Sequence, residues 1–220
     1  MILLLILLVW LLLATALGAS GALQPLRPPG PQLILLGLTA ALLGLWWLHR
    51  GLRAWVDRVG LRALVALHLT RFVGLYFLYL YGRGELPRAF AVPAGCGDII
   101  VAIGAAVSLL FWNSFSSKRP WLLLWNTLGL IDILFVVATA ARIAMTHPDA
   151  MTALRRLPLS LLPTFLVPLI IASHVVVYSR LRRAKRSGLN DSKASLRDPC
   201  RRNIGGLSYI GVRLPLSLLL

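Results

Sequence analysis

Several ionisable and amide side chains lie inside stretches of this sequence that are otherwise apolar. His68 and Arg71 occur in LHLTRFVG, Asn126 and Asp132 occur in WNTLGLIDILF, and His174 occurs in IIASHVVVY. A charged or strongly polar group is costly in hydrocarbon, so each is a candidate for proton or solute transfer, for cofactor ligation, or for a contact between helices. Which of those roles each residue can fill depends on where the helices place it.

The composition predicts an all-α, polytopic transmembrane helical bundle. The chain has 220 residues, of which 58% are hydrophobic and 14% are charged, and its mean hydropathy is +0.80. Soluble domains carry about a quarter charged residues. About six apolar runs are long enough to cross a membrane, within a domain that covers residues 1–186. The predicted spans are residues 2–20, 33–49, 61–81, 93–112, 121–141 and 159–178.

The two ends of the chain are less regular than the middle. The first apolar run is followed by the small residues ALGAS, which also fits a signal peptide, but it lacks a basic leader and is therefore predicted to be an uncleaved span. Residues 187–220 are predicted to form a disordered cytoplasmic tail, because they are mainly polar and their apolar ending is too short to span.

The basic residues predict the orientation of the chain. Formal net charge is +16, and arginine and lysine concentrate in residues 49–62, 113–120 and 180–186. Because cytoplasmic loops carry an excess of Lys and Arg, both termini are predicted to lie in the cytoplasm of a bacterial cell, with the spans in its inner membrane. Anionic lipids are the expected partners of this charge, a homo-oligomer is allowed, and no nucleic-acid partner is expected.

Metal and disulfide chemistry are not indicated. The chain has two cysteines, Cys96 and Cys200, and the predicted topology puts them on opposite sides of the membrane. No Cys/His spacing typical of a metal site is present, so no metal ligands are assigned.

Arg71 and Asp132 are predicted to lie at the same depth in the membrane. Arg71 is ten residues from Leu61, or about 15 Å from the cytoplasmic edge at 1.5 Å per residue. Asp132 is eleven residues from Trp121, or about 16 Å from the same edge. Opposite charges at matched depth lower each other's cost, so the two are predicted to pair. The pair could fix the register of the helices, or it could form part of a proton or solute path.

His68 and His174 are also predicted to lie at similar depth, nearer the cytoplasmic side. Two histidines that face each other across a helical bundle could be the axial ligands of haem b. The other interpretation is a set of interhelical hydrogen bonds with groups such as Asn126 or Ser173. No cofactor is predicted, and haem b stays an alternative.

The segment RGELPRAFAVPAGCGD, from Arg83 to Asp98, must lie partly at membrane depth. A helix capped by Asp98 and ending at Trp112 would have fifteen residues, or about 22 Å, which is short of a ~30 Å core. Either the fourth helix starts near Pro93, or the segment enters the membrane as non-helical backbone. Asp98 is predicted to be buried against the bundle, a few ångströms outward of the Arg71–Asp132 pair, with a helix N-cap as the alternative.

Within that segment, GCGD (residues 95–98) resembles the G-x-G-D signature of intramembrane aspartyl proteases. That resemblance implies a second intramembrane aspartate, for which Asp132 is the candidate. However, the family places its first aspartate on the helix before this motif, and here the third span contains no acid. The family's proline motif is missing too, so an enzyme is not favoured and no catalytic residue is assigned.

A longer resemblance covers most of the chain. The segments HLTRFVGLYFLYLYGRGELPRAFAVPAGCGDIIVAIGA, WNTLGLIDILFVVATA and PLSLLPTFLVPLIIASHVV resemble a group of uncharacterised bacterial integral membrane proteins. The shared pattern is R-x-x-G-x-x-FL, G-x-LP-x-x-FA-x-PAG-x-GD and LP-x-FLVP. The resemblance supports the fold class and implies no reaction, ligand or partner.

Four functions are consistent with these residues. A small transporter or permease-like subunit would use the Arg71–Asp132 pair and the proline-broken sixth span. A non-catalytic accessory membrane protein would use every polar residue as a helix contact. A bis-histidine haem protein and an intramembrane aspartyl hydrolase are the less favoured alternatives.

Overall fold

The computed structural model describes the backbone of residues 2–115 and 119–197, and within those ranges the chain is helical with no strand. The all-α prediction is therefore confirmed. The α-helices are α1 Ile2–Ala19, α2 Gly30–Leu48, α3 Arg50–Arg58, α4 Leu61–Leu67, α5 Val73–Gly82, α6 Arg88–Leu110, α7 Trp112–Phe115, α8 Arg119–Thr146 and α9 Val167–Arg197.

Within the described part of the chain, five helical stretches are long and apolar enough to cross a membrane. They are Gly30–Leu48, Leu61–Gly82, Arg88–Leu110, Arg119–Thr146 and Leu162–Arg183. The first predicted span corresponds to α1, whose apolar part, Leu4–Ala19, is shorter than these. Length and composition thus support five of the six predicted spans directly, and α1 is a shorter apolar helix at the place of the first predicted span.

The fourth span begins earlier than the sequence predicted. Its helix starts at Arg88, after an extended Pro87, and Pro93 lies inside it. The 23 residues of α6 extend about 34 Å, which is enough to cross the hydrocarbon core. Pro93 removes one backbone hydrogen bond but does not end the helix, so the predictions of a start near Pro93 and of a non-helical entrance are both wrong.

Two of the spans contain segments that depart from α-helical geometry. Residues His68–Phe72 form a 3₁₀ segment between α4 and α5. The last span begins with a π-helical segment, Leu162–Leu166, which includes Pro163 and continues into α9. Such segments inside longer helices mark strain or a functional hinge. The first of them carries both His68 and Arg71.

Helices α5 and α6 pack with their backbones in close contact. A Cβ built on Gly74 would lie 2.9 Å from Cβ of Asp98, and one built on Gly95 would lie 2.8 Å from the carbonyl oxygen of Gly74. Both distances are too short for a real side chain, so glycine is required on both sides of this crossing. Small residues permit such an approach between membrane helices. The crossing presses Asp98 against the third span.

The chain divides into two compact units, residues 1–179 and residues 180–220. In the second unit, α9 continues to Arg197. Residues 187–197 are therefore helical, whereas the sequence predicted disorder from residue 187. The rest of the predicted tail, residues 198–220, lies outside the described residues.

Candidate functional site

Arg71 binds two carboxylates and one backbone carbonyl. Its Nε donates to Oδ1 of Asp98 at 2.6 Å, and its Nη1 donates to the carbonyl oxygen of Gly129 at 2.9 Å. Its Nη2 donates to Oδ2 of Asp132. The predicted contact between Arg71 and Asp132 is present, and Asp98 joins it as a third member. We call Arg71, Asp98 and Asp132 the ion cluster.

The three members of the ion cluster differ in exposure. Only 1% of the Arg71 side chain and 5% of the Asp98 side chain is exposed, against 17% for Asp132. Asp132 lies on α8 beside the exposed residues Leu128, Ile131 and Phe135. Its carboxylate is therefore at the edge of the bundle, whereas Asp98 is enclosed, as the sequence predicted.

A glycine on α6 makes room for the carboxylate of Asp132. A Cβ built on Gly97 would lie 2.8 Å from Cγ of Asp132, closer than real side chains approach. Because Gly97 has no side chain, the carboxylate of α8 can cross the surface of α6 and reach the guanidinium of Arg71. Three separate spans thus meet at one point, through two aspartates and one arginine.

The formal charges of the ion cluster do not balance. One guanidinium faces two carboxyl groups, so the cluster carries one net negative charge when both aspartates are ionised. An unbalanced charge inside a low-dielectric bundle is costly, and a carboxyl group in that situation takes up a proton or a cation. The cluster can therefore exchange one positive charge with its surroundings.

A second buried polar group, which we call the histidine pair, consists of His68 and His174. The ring centroids of the pair lie 4.4 Å apart. Nδ1 of His174 lies 2.9 Å from Oδ1 of Asn126, whose Nδ2 donates to the backbone oxygen of His174. Nε2 of His68 lies 3.1 Å from Oγ of Ser173. These are the interhelical hydrogen bonds with Asn126 and Ser173 that the sequence suggested as the alternative to haem.

These contacts determine which nitrogen of each ring carries its proton. Oδ1 of Asn126 can only accept, so His174 is protonated at Nδ1. Oγ of Ser173 already donates to the carbonyl oxygen of Ile170 at 2.7 Å, so His68 donates to Ser173 through a protonated Nε2. The other two nitrogens, Nδ1 of His68 and Nε2 of His174, are buried and have no hydrogen-bond partner in the described part of the chain.

The arrangement of the histidine pair does not suit haem. An iron ligated by both rings would need the porphyrin to lie between them, so the two rings would have to be separated. Here the rings of His68 and His174 contact each other directly, and the ring of Trp125 packs edge-on against His68 at 4.9 Å between centroids. The side chains present leave no space for a porphyrin.

Gly129 lies between the ion cluster and the histidine pair. Its carbonyl oxygen accepts from Arg71, and a Cβ built on it would lie 2.7 Å from Cε1 of His174. The two polar groups are therefore neighbours through one residue of α8.

An apolar cavity of about 130 Å³ lies on the other side of the ion cluster. Arg71 and Asp98 line one end of it, and Leu26, Gln32 and Arg155 line the other. The wall between these ends includes aliphatic residues of α8 and of the last span. The cavity therefore connects the ion cluster with the loops that follow α1 and α8.

The arrangement of the carboxyl groups differs from what aspartyl proteolysis needs. In that chemistry two carboxyl groups share a proton and a water. Asp98 and Asp132 are instead bridged by the guanidinium of Arg71. Among the described residues no cluster of three or more His, Cys, Asp or Glu side chains could hold a metal ion.

Sequence reasoning located all six polar candidates in buried or half-buried positions but missed several of their partners. It did not place Asp98 on Arg71, and it did not identify Gly97, Gly129 or Trp125. The signal for Asp98 was present in the spacing of the glycines, because Gly74, Gly95 and Gly97 mark helix contacts on either side of it. If these glycines had been interpreted as contact sites, the packing of α5, α6 and α8 against one another would have been predicted.

Comparison with known proteins gives one family. Neither the curated proteins nor the solved structures give a match. Residues 28–182 match a domain family described as a domain of unknown function, DUF8737. This range covers more than half of the chain and contains the ion cluster, the histidine pair and all residues that line the apolar cavity except Leu23 and Leu26. The chain belongs to the DUF8737 family.

Proposed function

We propose that this chain is a multi-pass protein of the bacterial inner membrane, with both termini in the cytoplasm, that works as a small proton-linked transporter or permease-like subunit. The observation that carries the proposal is the ion cluster, in which one guanidinium serves two carboxyl groups on different spans. Proton binding at the cluster is the step that is coupled to movement of the solute.

The charge count supports a proton as the coupled ion. The ion cluster is neutral when one of its carboxyl groups holds a proton, and it is negative when that proton leaves. Asp132 is the group that exchanges it, because its side chain is 17% exposed whereas that of Asp98 is 5% exposed. Asp98 is the permanent partner that keeps Arg71 in place.

Irregular helical segments support movement at the ion cluster and at the start of the last span. Arg71 lies in the 3₁₀ segment of the third span, and the last span starts with a π-helical turn at Pro163. Interrupted helices near the middle of a membrane are typical of transporter sites, because the strained backbone can change its geometry. Loss of the hydrogen bond that Arg71 donates to Asp132 would leave Arg71 attached to Asp98 and Gly129, so that α8 is released from the carboxylate side of the cluster while Arg71 stays with α6.

The histidine pair supplies proton acceptors on the cytoplasmic side. Nδ1 of His68 and Nε2 of His174 are buried nitrogens without a hydrogen-bond partner among the described residues, and His174 packs against Gly129, whose carbonyl oxygen accepts from Arg71. A proton released from the cluster toward the cytoplasm meets these nitrogens first.

Covalent labelling tests the proton site without knowledge of the solute. A hydrophobic carbodiimide reacts with a protonated carboxyl group that it can reach from the lipid, and the labelled residue is identified by mass spectrometry. We expect labelling of Asp132 in membranes, loss of labelling in Asp132→Asn, and no labelling of Asp98. The exposed Asp149 is the matched acidic control, since it should react only with a water-soluble carbodiimide.

Transport is tested in proteoliposomes that contain a pH-sensitive dye. Panels of amino acids, sugars, organic acids and small cations are added outside, and proton movement is followed. We expect one class of solute to move protons with the native chain and with Asp149→Asn, but not with Asp132→Asn. Absence of carbodiimide labelling at Asp132 together with no solute-dependent proton movement would refute the proposal and leave a non-catalytic accessory protein.

A further inference from the structure

The apolar cavity has the dimensions of a slot for a single hydrocarbon chain. On α8 its lining extends from Ile133 to Ala144, a distance of about 16 Å at 1.5 Å per residue. A volume of about 130 Å³ spread over that length is narrow. An apolar space of this kind excludes water, so its natural content is an apolar group.

The slot exists because α2 is only loosely packed. Over its 19 residues, α2 buries only Leu35 and Thr39. Its Ile34 and Leu35 form one wall of the slot, and Val137, Ala140 and Ala144 of α8 form part of another. The small alanines of α8 keep that wall flat along the slot.

The outer end of the slot carries positive charge and an unused polar atom. Arg155 lines this end, and its position is fixed by hydrogen bonds to the carbonyl oxygen of Leu26 at 2.8 Å and to Oγ1 of Thr152 at 3.0 Å. Arg27 follows Leu26 in the chain and is exposed. Gln32 also lines the slot, and its Oε1 is buried with no hydrogen-bond partner among the residues that the structure describes.

We propose that the slot binds one acyl chain of an anionic amphiphile, with its phosphate or carboxylate head group at Arg155 and its chain directed toward the ion cluster. Arginine at the mouth matches an anionic head group in charge and in hydrogen-bonding geometry. Oε1 of Gln32 accepts from a hydroxyl or amide on the same head group. This binding site stands on the slot and its mouth, and it does not depend on the proposed transport function.

Photocrosslinking tests the site in the full chain reconstituted in phosphatidylcholine vesicles. The probes are trace amounts of phosphatidylglycerol, phosphatidylcholine and a free fatty acid, each with a photoreactive group near the end of its acyl chain. We expect crosslinks to residues between Ile133 and Ala144 on the slot side of α8. A higher yield with phosphatidylglycerol identifies a phospholipid, and a higher yield with the fatty acid identifies a free carboxylate.

Matched tryptophan variants separate the slot from ordinary lipid contact. Ala140 lines the slot, whereas Ala138 on the same helix is exposed outside it. We expect Ala140→Trp to abolish the slot crosslinks and Ala138→Trp to leave them unchanged. If Ala140→Trp does not fold, Ala144→Leu narrows the outer half of the slot and should lower the yield.

Charge variants test the head group. We expect Arg155→Gln to lower the preference for anionic over neutral probe about fivefold, because one arginine near an anionic head group contributes about 1 kcal/mol. Arg156→Gln, an exposed neighbour outside the slot, should keep the preference. Crosslinks spread evenly over the exposed face, or an equal loss in the Ala138 and Ala140 variants, would show ordinary lipid contact only and overturn the proposal.

Discussion

The ion cluster predicts that loss of either aspartate alone is tolerated and that loss of both is not. The perturbations are Asp98→Asn, Asp132→Asn and the double variant. Asparagine keeps the shape of the carboxyl group and still accepts a hydrogen bond from Arg71, but it carries no charge. Each single variant leaves one guanidinium facing one carboxylate, which is a neutral pair.

The magnitude follows from the contacts of Arg71. A single replacement removes the negative charge of the acceptor from one hydrogen bond that the Arg71 guanidinium still donates, which weakens that bond and costs about 1 kcal/mol or less. The double variant leaves the guanidinium of Arg71, which is 1% exposed, without any counter-charge. An uncompensated buried charge costs about 3–5 kcal/mol. The double variant should therefore lose about 2 kcal/mol more than the two single variants together.

The assay is reversible unfolding in mixed micelles, with the free energy of unfolding measured against the fraction of denaturing detergent. The coupling energy is obtained from the native chain, the two single variants and the double variant. Additive losses would refute the reasoning, since they would mean that each aspartate contacts Arg71 independently. A loss of 3 kcal/mol or more in one single variant would refute it as well, because the remaining carboxylate would then fail to neutralise Arg71.

Two further predictions concern α6. Gly97→Ala should cost about 1–2 kcal/mol of unfolding free energy, because the new Cβ displaces the carboxylate of Asp132 from the guanidinium. The control is Gly37→Ala on α2, where a Cβ would have no atom within 4 Å, and which should stabilise the chain by about 0.5–1 kcal/mol. Equal effects of the two variants on the unfolding free energy would contradict this prediction. Cys96 is exposed and lies about 12 Å along α6 from its first residue, Arg88. In a Cys200→Ser background, Cys96 should therefore react with an apolar maleimide but not with a charged thiosulfonate. Reaction with the charged reagent would instead place water at that position.

The fold class and the positions of the spans were predictable because they depend on composition and on the length of apolar runs. The start of the fourth helix was not, because a proline in the first turns of a helix can be read as a boundary or as a tolerated interior residue. The length of the apolar run required FAVPAGCGD to belong to a span, and these residues lie within α6. Length alone did not distinguish a helix from an irregular backbone.

For the site, the pairing of Arg71 with Asp132 was predictable, and the rotation of each helix about its axis was not. Counting residues from the ends of two spans placed Arg71 opposite Asp132, and these side chains do form an ion pair. The same counting placed Asp98 outward of the pair, because it assumed α-helical rise and said nothing of which face points inward. The structure brings Asp98 to Nε of Arg71 at 2.6 Å, through the 3₁₀ segment and the glycine crossing that the residue types did not reveal.

The 3₁₀ segment His68–Phe72 also sets the angular phase between the two halves of the third span. A 3₁₀ helix turns 120° per residue and rises about 2.0 Å, against 100° and about 1.5 Å in an α-helix. Over its five residues, the segment adds roughly 100° of rotation and about 2.5 Å of length to the span. Conversion of the segment to α-helix would thus act as a screw, turning the aromatic half Val73–Gly82 by more than a quarter of a revolution while shortening the span. His68 and Arg71 both lie within the segment that would convert.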